Sequence, residues 1–215
     1  EPDPSGLAAC AALAQTLRGL SRERIGGELL ALLALPDPAP TVGLMAEAGV
    51  LAVVLPEARG RELDALEALA AAERAQSAAP DPLRRLAALV PAVPTLAEAV
   101  AARLRLSKQQ RARLVCAAER KASDATEPRA LAYREGIACA RDRLLLAGGD
   151  GAALSGWDVP LFPLKGGEIV ARGVAAGPEV ARIMQAVERR WVEEGFPDAA
   201  RIEELVGEAL RPNWE

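Results

Sequence analysis

The sequence predicts an all-α protein, an elongated array of helices in two or three small helical subdomains. Three observations carry that prediction. Apolar residues make up 51% of the 215 positions, much of it Ala and Leu, which with Arg and Glu are strong helix formers. Val and Ile are few and aromatics are only 3%, so strands have little to be built from. In segment after segment the apolar residues recur three or four apart, the spacing of one helix face.

Taken in order, Asp3 or Ser5 can cap a first helix with Leu7, Cys10, Leu13 and Leu17 as its apolar stripe. The chain starts without a methionine, and the expectation is a piece of something longer. Gly19 and Leu20 close this helix, and Ser21 caps the next, SRERIGGELLALLAL, which buries Ile25, Leu29, Leu32 and Leu33. Arg24 and Glu28, four apart, are expected to pair on its surface. PDPAP at 36–40 is a rigid break. A helix over 41–48 follows, and VLAVVL at 50–55, the one strand-like run, is short and alone and reads as helical or irregular. Helices are expected over about 60–78, with Leu63, Leu66 and Leu69 inward, and over 80–91 between prolines.

Two capping boxes come next, Thr95 with Glu98 and Ser107 with Gln110, starting helices near 96–104 and 108–122. Asp124 or Thr126 opens a single helix over 129–147 with Leu131, Ile137, Leu144 and Leu145 as core. In one helix Arg134 and Arg141, seven apart, would share a face, with Arg129 and Lys108 as neighbours. GGDGAALSG (148–156) is the most flexible-looking linker. Beyond it, Gly173 ends a short helix, and Gly177 and Pro178 open a long one with Ile183, Met184, Val187 and Trp191 on one face. Gly195 stops it. Asp198 caps a last helix with Ile202, Leu205 and Val206 apolar. The expected divisions are 1–58, 59–147 and 148–215.

Several chemistries are excluded. Histidine is absent, which removes Ser-His-Asp and Cys-His catalysis and His-ligated metals. Cys10, Cys116 and Cys139 are odd in number, far apart and without a Cys-x-x-Cys pair, which predicts reduced, mostly buried thiols in a cytosolic protein. No apolar run is long enough to span a bilayer. Carboxylates one residue apart occur only at Glu1/Asp3, split by Pro2, and at Glu62/Asp64, on different faces of a predicted helix. Neither resembles a two-metal site, and no Gly-x-x-x-x-Gly-Lys phosphate loop is present.

The formal charge is −4, but it is unevenly spread. Residues 101–145 hold eleven Lys or Arg against five Asp or Glu, so the rest of the chain is strongly acidic. Such a segment can dock a polyanion locally, and a solvated helix surface reads the same way. The start of the helix at Gly177 exposes backbone N–H groups at the positive end of a helix dipole, near Lys165 and Arg172, which favours an anion. A plain packed helical hairpin fits the same spacing.

Three stretches, in order along the chain, resemble bacterial CCA-adding enzymes, tRNA nucleotidyltransferases of the class that includes bacterial poly(A) polymerases. Ser21, Glu23, Arg24, Ile25, Glu28 and Leu29 match the Ser-x-Glu-Arg-Ile-x-x-Glu-Leu signature of that family's neck, and Leu55, Pro56 and Glu57 a following Leu-Pro-Glu. LRLSKQQRARL (104–114) is similar to the body. Pro163, Leu164, Gly166 or Gly167, Glu168, Gly173, Gly177 and Pro178 match the tail motif, with Glu168 where the family more often has Asp and Ala181 where it often has Gly. The resemblance covers nearly the whole chain but only part of neck, then body and tail. It implies a cytoplasmic tRNA-binding part, inactive by itself. A catalytic head outside this sequence would add C, C and A to the tRNA 3′ end from CTP and ATP with magnesium. The contacts it implies are to phosphate and ribose: Lys108, Arg111, Arg134 and Arg141 in the body, and Lys165, Arg172 and the amides after Gly177 in the tail. Arg24 and Glu28 would be neck scaffold. Poly(A) addition within the same family, or a helical protein-binding adaptor with an exposed apolar groove, are the competing readings.

Overall fold

The computed structural model describes residues 3–211, which form helices and 3-10 turns and no strand. Glu1 and Pro2, from one of the carboxylate pairs, lie outside the described residues. The chain divides after Ser155 into two compact units.

In the first unit, the Asp3 carboxylate accepts from the N–H groups of Ser5 and Gly6 and starts α1 (Pro4–Leu13). The expected stripe does not form a buried face. None of the residues of α1 is buried, Leu13 is 60% exposed, and a 3-10 turn (Ala14–Gly19) replaces the last part of the helix. Small side chains all round α1 leave it without a strongly apolar side to bury.

Ser21 caps α2 (Arg22–Leu33) as expected, its Oγ accepting from the Arg24 N–H at 3.4 Å. α2 buries Ile25, Gly26, Leu29 and Leu33. Gly26 is there for proximity: a Cβ at this position would lie 2.5 Å from the Leu104 carbonyl oxygen. Only a residue without a side chain lets the two backbones approach this closely.

α3 (Ala39–Glu47) and α4 (Val50–Val54) meet at Gly49, which has φ 72°, so the strand-like VLAVVL is helical. There follow α5 (Gly60–Ala75), α6 (Pro82–Ala88) and α7 (Pro94–Arg103). α8 (Lys108–Ala118) starts on the complete Ser107–Gln110 capping box. Thr95, by contrast, lies inside α7, whose N-cap is Val93, and Glu98 faces Arg111 instead. Pro94 explains the shift, since proline suits the first helical position.

The single helix expected over 129–147 is two: α9 (Pro128–Glu135) and α10 (Ile137–Leu146). Gly136, with φ 84° and ψ 153°, sits between them in a conformation that a side chain resists. One apolar core runs from α2 to α10, through Leu33, Leu51, Leu66, Leu86, Leu104, Leu114 and Leu145.

Two further expectations are corrected. Cys116 in α8 and Cys139 in α10 form a disulfide with their Cα atoms 6.2 Å apart, and Cys10 is exposed. Spacing along the chain could not show this, because α8 and α10 are neighbours only in three dimensions. The glycine-rich linker is also tied down. Gln76 donates to the Gly149 carbonyl at 3.0 Å and accepts from the Gly151 N–H at 2.8 Å, and Gly151 and Leu154 are buried in a 3-10 turn.

The second unit contains α11 (Gly166–Val170), α12 (Pro178–Glu193) and α13 (Ala199–Ala209). Gly173 (φ 91°) and Gly177 (φ 145°) take the positive φ that the turn requires, and Pro178 opens α12. Ile183, Val187 and Trp191 of α12 are buried, as are Ile202, Leu205 and Val206 of α13. Gly166 lets α11 lie against Val180 and Met184. Trp191 stacks edge-on with Phe196 at 4.9 Å and tilted against Phe162 at 5.4 Å, while its ring N–H donates to the Pro197 carbonyl.

Candidate nucleic-acid interface

The helices of the first unit are locked by charges that were not singled out in the sequence. Glu73, Arg84, Arg85 and Asp142 are all buried. The Glu73 carboxylate accepts from Arg84 Nε at 2.8 Å through one oxygen and from Arg85 Nε at 2.8 Å through the other. Arg85 then donates to the carbonyls of Leu33, Leu35 and Pro36, groups that the end of α2 leaves without helical partners. Arg113 forks onto Asp142 at 2.6 and 2.8 Å and reaches Asp81 at 2.7 Å. The doublet RR at 84–85 inside an apolar helix was the available signal, because charged residues are almost never buried unless paired.

Titration follows from these pairs. Burial works against ionisation of Asp81, but the Arg84 N–H and the Arg113 guanidinium outweigh it and hold the carboxyl below its ordinary value. Asp124, under Arg143, and Glu57, under Arg103, are lowered in the same way against burial. Burial pushes Asp142 upward, although Arg113 and Arg84 pull the other way and the same carboxylate holds Arg113 above its ordinary value. Arg113 grips both oxygens of the Asp142 carboxyl.

A folded-state pKa below the unfolded one gives stability that is present above the ordinary carboxylate range and lost as pH falls through the folded value. Asp81, Asp124 and Glu57 are of this kind, and Asp142 has the opposite sign. The three lowered carboxyls are expected to make the melting temperature fall below about pH 4.5. Melting curves at constant ionic strength check this, and a flat profile down to pH 3 would show that the pairs add nothing.

Beside this scaffold lies a cavity of about 870 Å³ between the end of α8 and α9. Arg120, Lys121, Arg134 and Arg143 line it. So do four carboxylates, Glu119, Asp124, Glu127 and Glu135. Asp124 is fully engaged, accepting from Arg143 at 2.8 Å on each oxygen and from the Lys121 N–H at 2.9 Å. Arg134, an expected RNA contact, is thus on a cavity wall. Arg141 is not beside it. The break at Gly136 puts Arg141 on α10, where it lines a separate cavity of about 410 Å³ with Arg84, Arg113 and Asp142. The shared face expected for Arg134 and Arg141 is thus corrected.

The other expected contacts scatter further. Lys108 is exposed at the start of α8, and Arg111, one turn on, is ion-paired with Glu98. Lys165, Arg172 and Gly177 belong to the second unit, where Lys165 is the exposed N-cap of α11 and Arg172 pairs with Glu203. The N-terminus of α12 is open at Gly177, but Glu179 already places a carboxylate in its first turn, held ionised by Arg182. Arg24 and Glu28 do not pair with each other among the described residues. They rim an apolar cavity of about 310 Å³ floored by Leu17, Ile25, Leu29, Met45 and Val54.

Among the described residues no group of three or more His, Cys, Asp or Glu side chains could hold a metal ion, and no helix is long and apolar enough to cross a membrane. Glu62 and Asp64 both lie in α5, with Glu62 accepting from the Arg59 N–H at its cap. The two-metal chemistry of nucleotidyl transfer does not fit these residues, and no transfer step is assigned to them.

Residues 1–60 match the family model described as "Probable RNA and SrmB-binding site of polymerase A". No curated protein matches the chain. The match supports an RNA-binding part of the poly(A) polymerase and CCA-adding family at these residues, and it takes in α1 to α4 with the apolar cavity.

Proposed function

We propose that this chain is the tRNA-holding part of a CCA-adding tRNA nucleotidyltransferase, with the transfer of C and A from CTP and ATP, assisted by magnesium, performed by residues outside this sequence. The observation that carries the reading is the match of the first sixty residues to an RNA-binding site of polymerase A. The neck signature supports it, since Ser21 caps α2 and Ile25 and Leu29 are buried. So does the tail motif, in which Gly173 and Gly177 adopt the positive φ that the turn needs. RNA is held by phosphate and ribose contacts. Lys108, Arg134, Arg141 and Lys165 would contribute most, because Arg111 and Arg172 are already ion-paired.

A gel-shift titration with tRNA tests this. Retardation is expected at low salt, with affinity falling by about tenfold or more between 50 and 200 mM salt, as for any interface built on several phosphates. Absence of retardation at any salt would remove the reading. The polymerase A named in the matching family favours a second one, poly(A) addition, in which an unstructured RNA competes as well as tRNA does. The apolar cavity rimmed by Arg24 and Glu28 fits protein docking, and tRNA retardation is what separates RNA holding from a purely protein-binding adaptor.

A further inference from the structure

The charges around the second cavity do not cancel. Glu73 takes Arg84 and Arg85, while Asp81 and Asp142 take Arg113. Arg141 is one arginine more. It lines the cavity of about 410 Å³ beside Arg84, Arg113, Asp81 and Asp142, and it is half-buried. Its guanidinium makes no ion pair or hydrogen bond among the described residues.

Neither carboxylate of the lining is left for it. One Asp81 oxygen accepts from the N–H groups of Leu83 and Arg84, each at 3.0 Å, and the other accepts from Arg113 at 2.7 Å. Both Asp142 oxygens are held by Arg113, and Arg84 stands 3.5 Å from one of them. Arg113 meets these acceptors through Nε and one terminal nitrogen, so its Nη1 has no acceptor among the described residues. The hydroxyls of Ser77 and Ser155, on the same lining, also have none. The cavity therefore offers unused donors and no unused carboxylate. A guanidinium drawn partly out of water without a counter-ion costs free energy that a bound anion would offset.

The walls are fixed in advance. Gln76 bonds both Gly149 and Gly151, which ties the turn after α5 to the 3-10 turn at 151–154. A cavity set before the ligand arrives spends less free energy on ordering it. A guanidinium fork matches the paired oxygens of a phosphate. The volume is at the small end of ligand sites and leaves room for a sugar against Leu145 and Ala152.

We infer that this cavity seats a single phosphate group, held by Arg141 with Arg113 Nη1. Two sources share that chemistry. One is a backbone phosphate of RNA, which rests on the RNA-holding reading above. The other is free phosphate.

The test compares the parent chain with Arg141→Gln and with Arg190→Gln. Arg141 has no partner to lose, so its variant should fold normally, and melting curves verify that for each protein. Arg190, in the second unit, is paired with Glu193 and Glu194 and serves as the charge-matched control. In gel-shift titrations with tRNA across a salt series, Arg141→Gln should flatten the slope of log affinity against log salt by about 1, and the control should leave it unchanged. Melting curves in inorganic phosphate against chloride, at equal ionic strength, test the other source. Phosphate at about ten times its Kd should raise the melting temperature of the parent and the control by roughly 3–6 °C and leave Arg141→Gln unmoved. A change of slope supports an RNA phosphate, and a melting shift without one supports free phosphate. If the parent retards tRNA and Arg141→Gln changes neither readout, the site is wrong and the RNA reading stands. If the parent does not retard tRNA, the RNA reading falls and the phosphate melting curves alone decide the site: a shift that Arg141→Gln abolishes keeps it, and no shift removes it.

Discussion

Glu73→Gln is expected to lower the unfolding free energy by about 3–5 kcal/mol, the cost of leaving buried charges without their counter-ion. Its carboxylate is 1% exposed and is shared by Arg84 and Arg85, themselves buried. Glutamine keeps the size and removes the charge, so two adjacent guanidiniums in α6 would repel across an apolar interior. Arg84 would keep only Asp142, at 3.5 Å, and the Ala79 carbonyl. Arg85 would keep the carbonyls at the end of α2, and through them the seating of α2 would loosen. Since whole domains are stable by only about 5–15 kcal/mol, this is a large share. Urea denaturation measures it. A loss below about 1 kcal/mol would mean that the carbonyls and Asp142 suffice. Should Glu73→Gln not fold, Glu73→Asp, which keeps the charge on a shorter arm, is expected to fold with a smaller loss.

Reduction of the Cys116–Cys139 disulfide is expected to have the next largest effect. The bond closes a loop of 23 residues between α8 and α10. On the chain-entropy account a loop of this length restricts the unfolded state by about 3 kcal/mol. Adding a reductant should then lower the melting temperature by roughly 6–12 °C for a chain of this size. The double variant Cys116→Ser with Cys139→Ser should melt near the reduced protein and ignore reductant. Thiol titration of the folded, unreduced protein gives a second readout. One reactive thiol, Cys10, is expected, and three would show that no bond joins α8 to α10.

These two expectations mark where sequence reading stopped. Helix after helix was legible because the signals are local: Ser21 before α2, Ser107 with Gln110 before α8, Pro178 opening α12, Asp198 before α13. The same local logic failed where two signals competed. Pro94 displaced the Thr95 cap, and Gly136 split a helix whose apolar spacing continued across it. The candidate site was less legible. Arg134 was singled out, but its shared face with Arg141 assumed an unbroken helix, and Arg120 and Lys121, which line the same cavity, carry no pattern that sets them apart from solvated charges.

By itself the sequence determined that the chain is all-helical, and it determined where most of its helices begin. Composition and capping act within a few residues, so neither needs a tertiary partner to be read. It also excluded histidine chemistry outright. Tertiary structure alone decided which charges are interior, which cysteines meet, and which arginines share a cavity. Each of those depends on helices distant in the chain coming within a few ångströms. Burial changes the meaning of a charge, from a solvated ornament of a helix to a group whose counter-ion must be found in the fold or in a ligand.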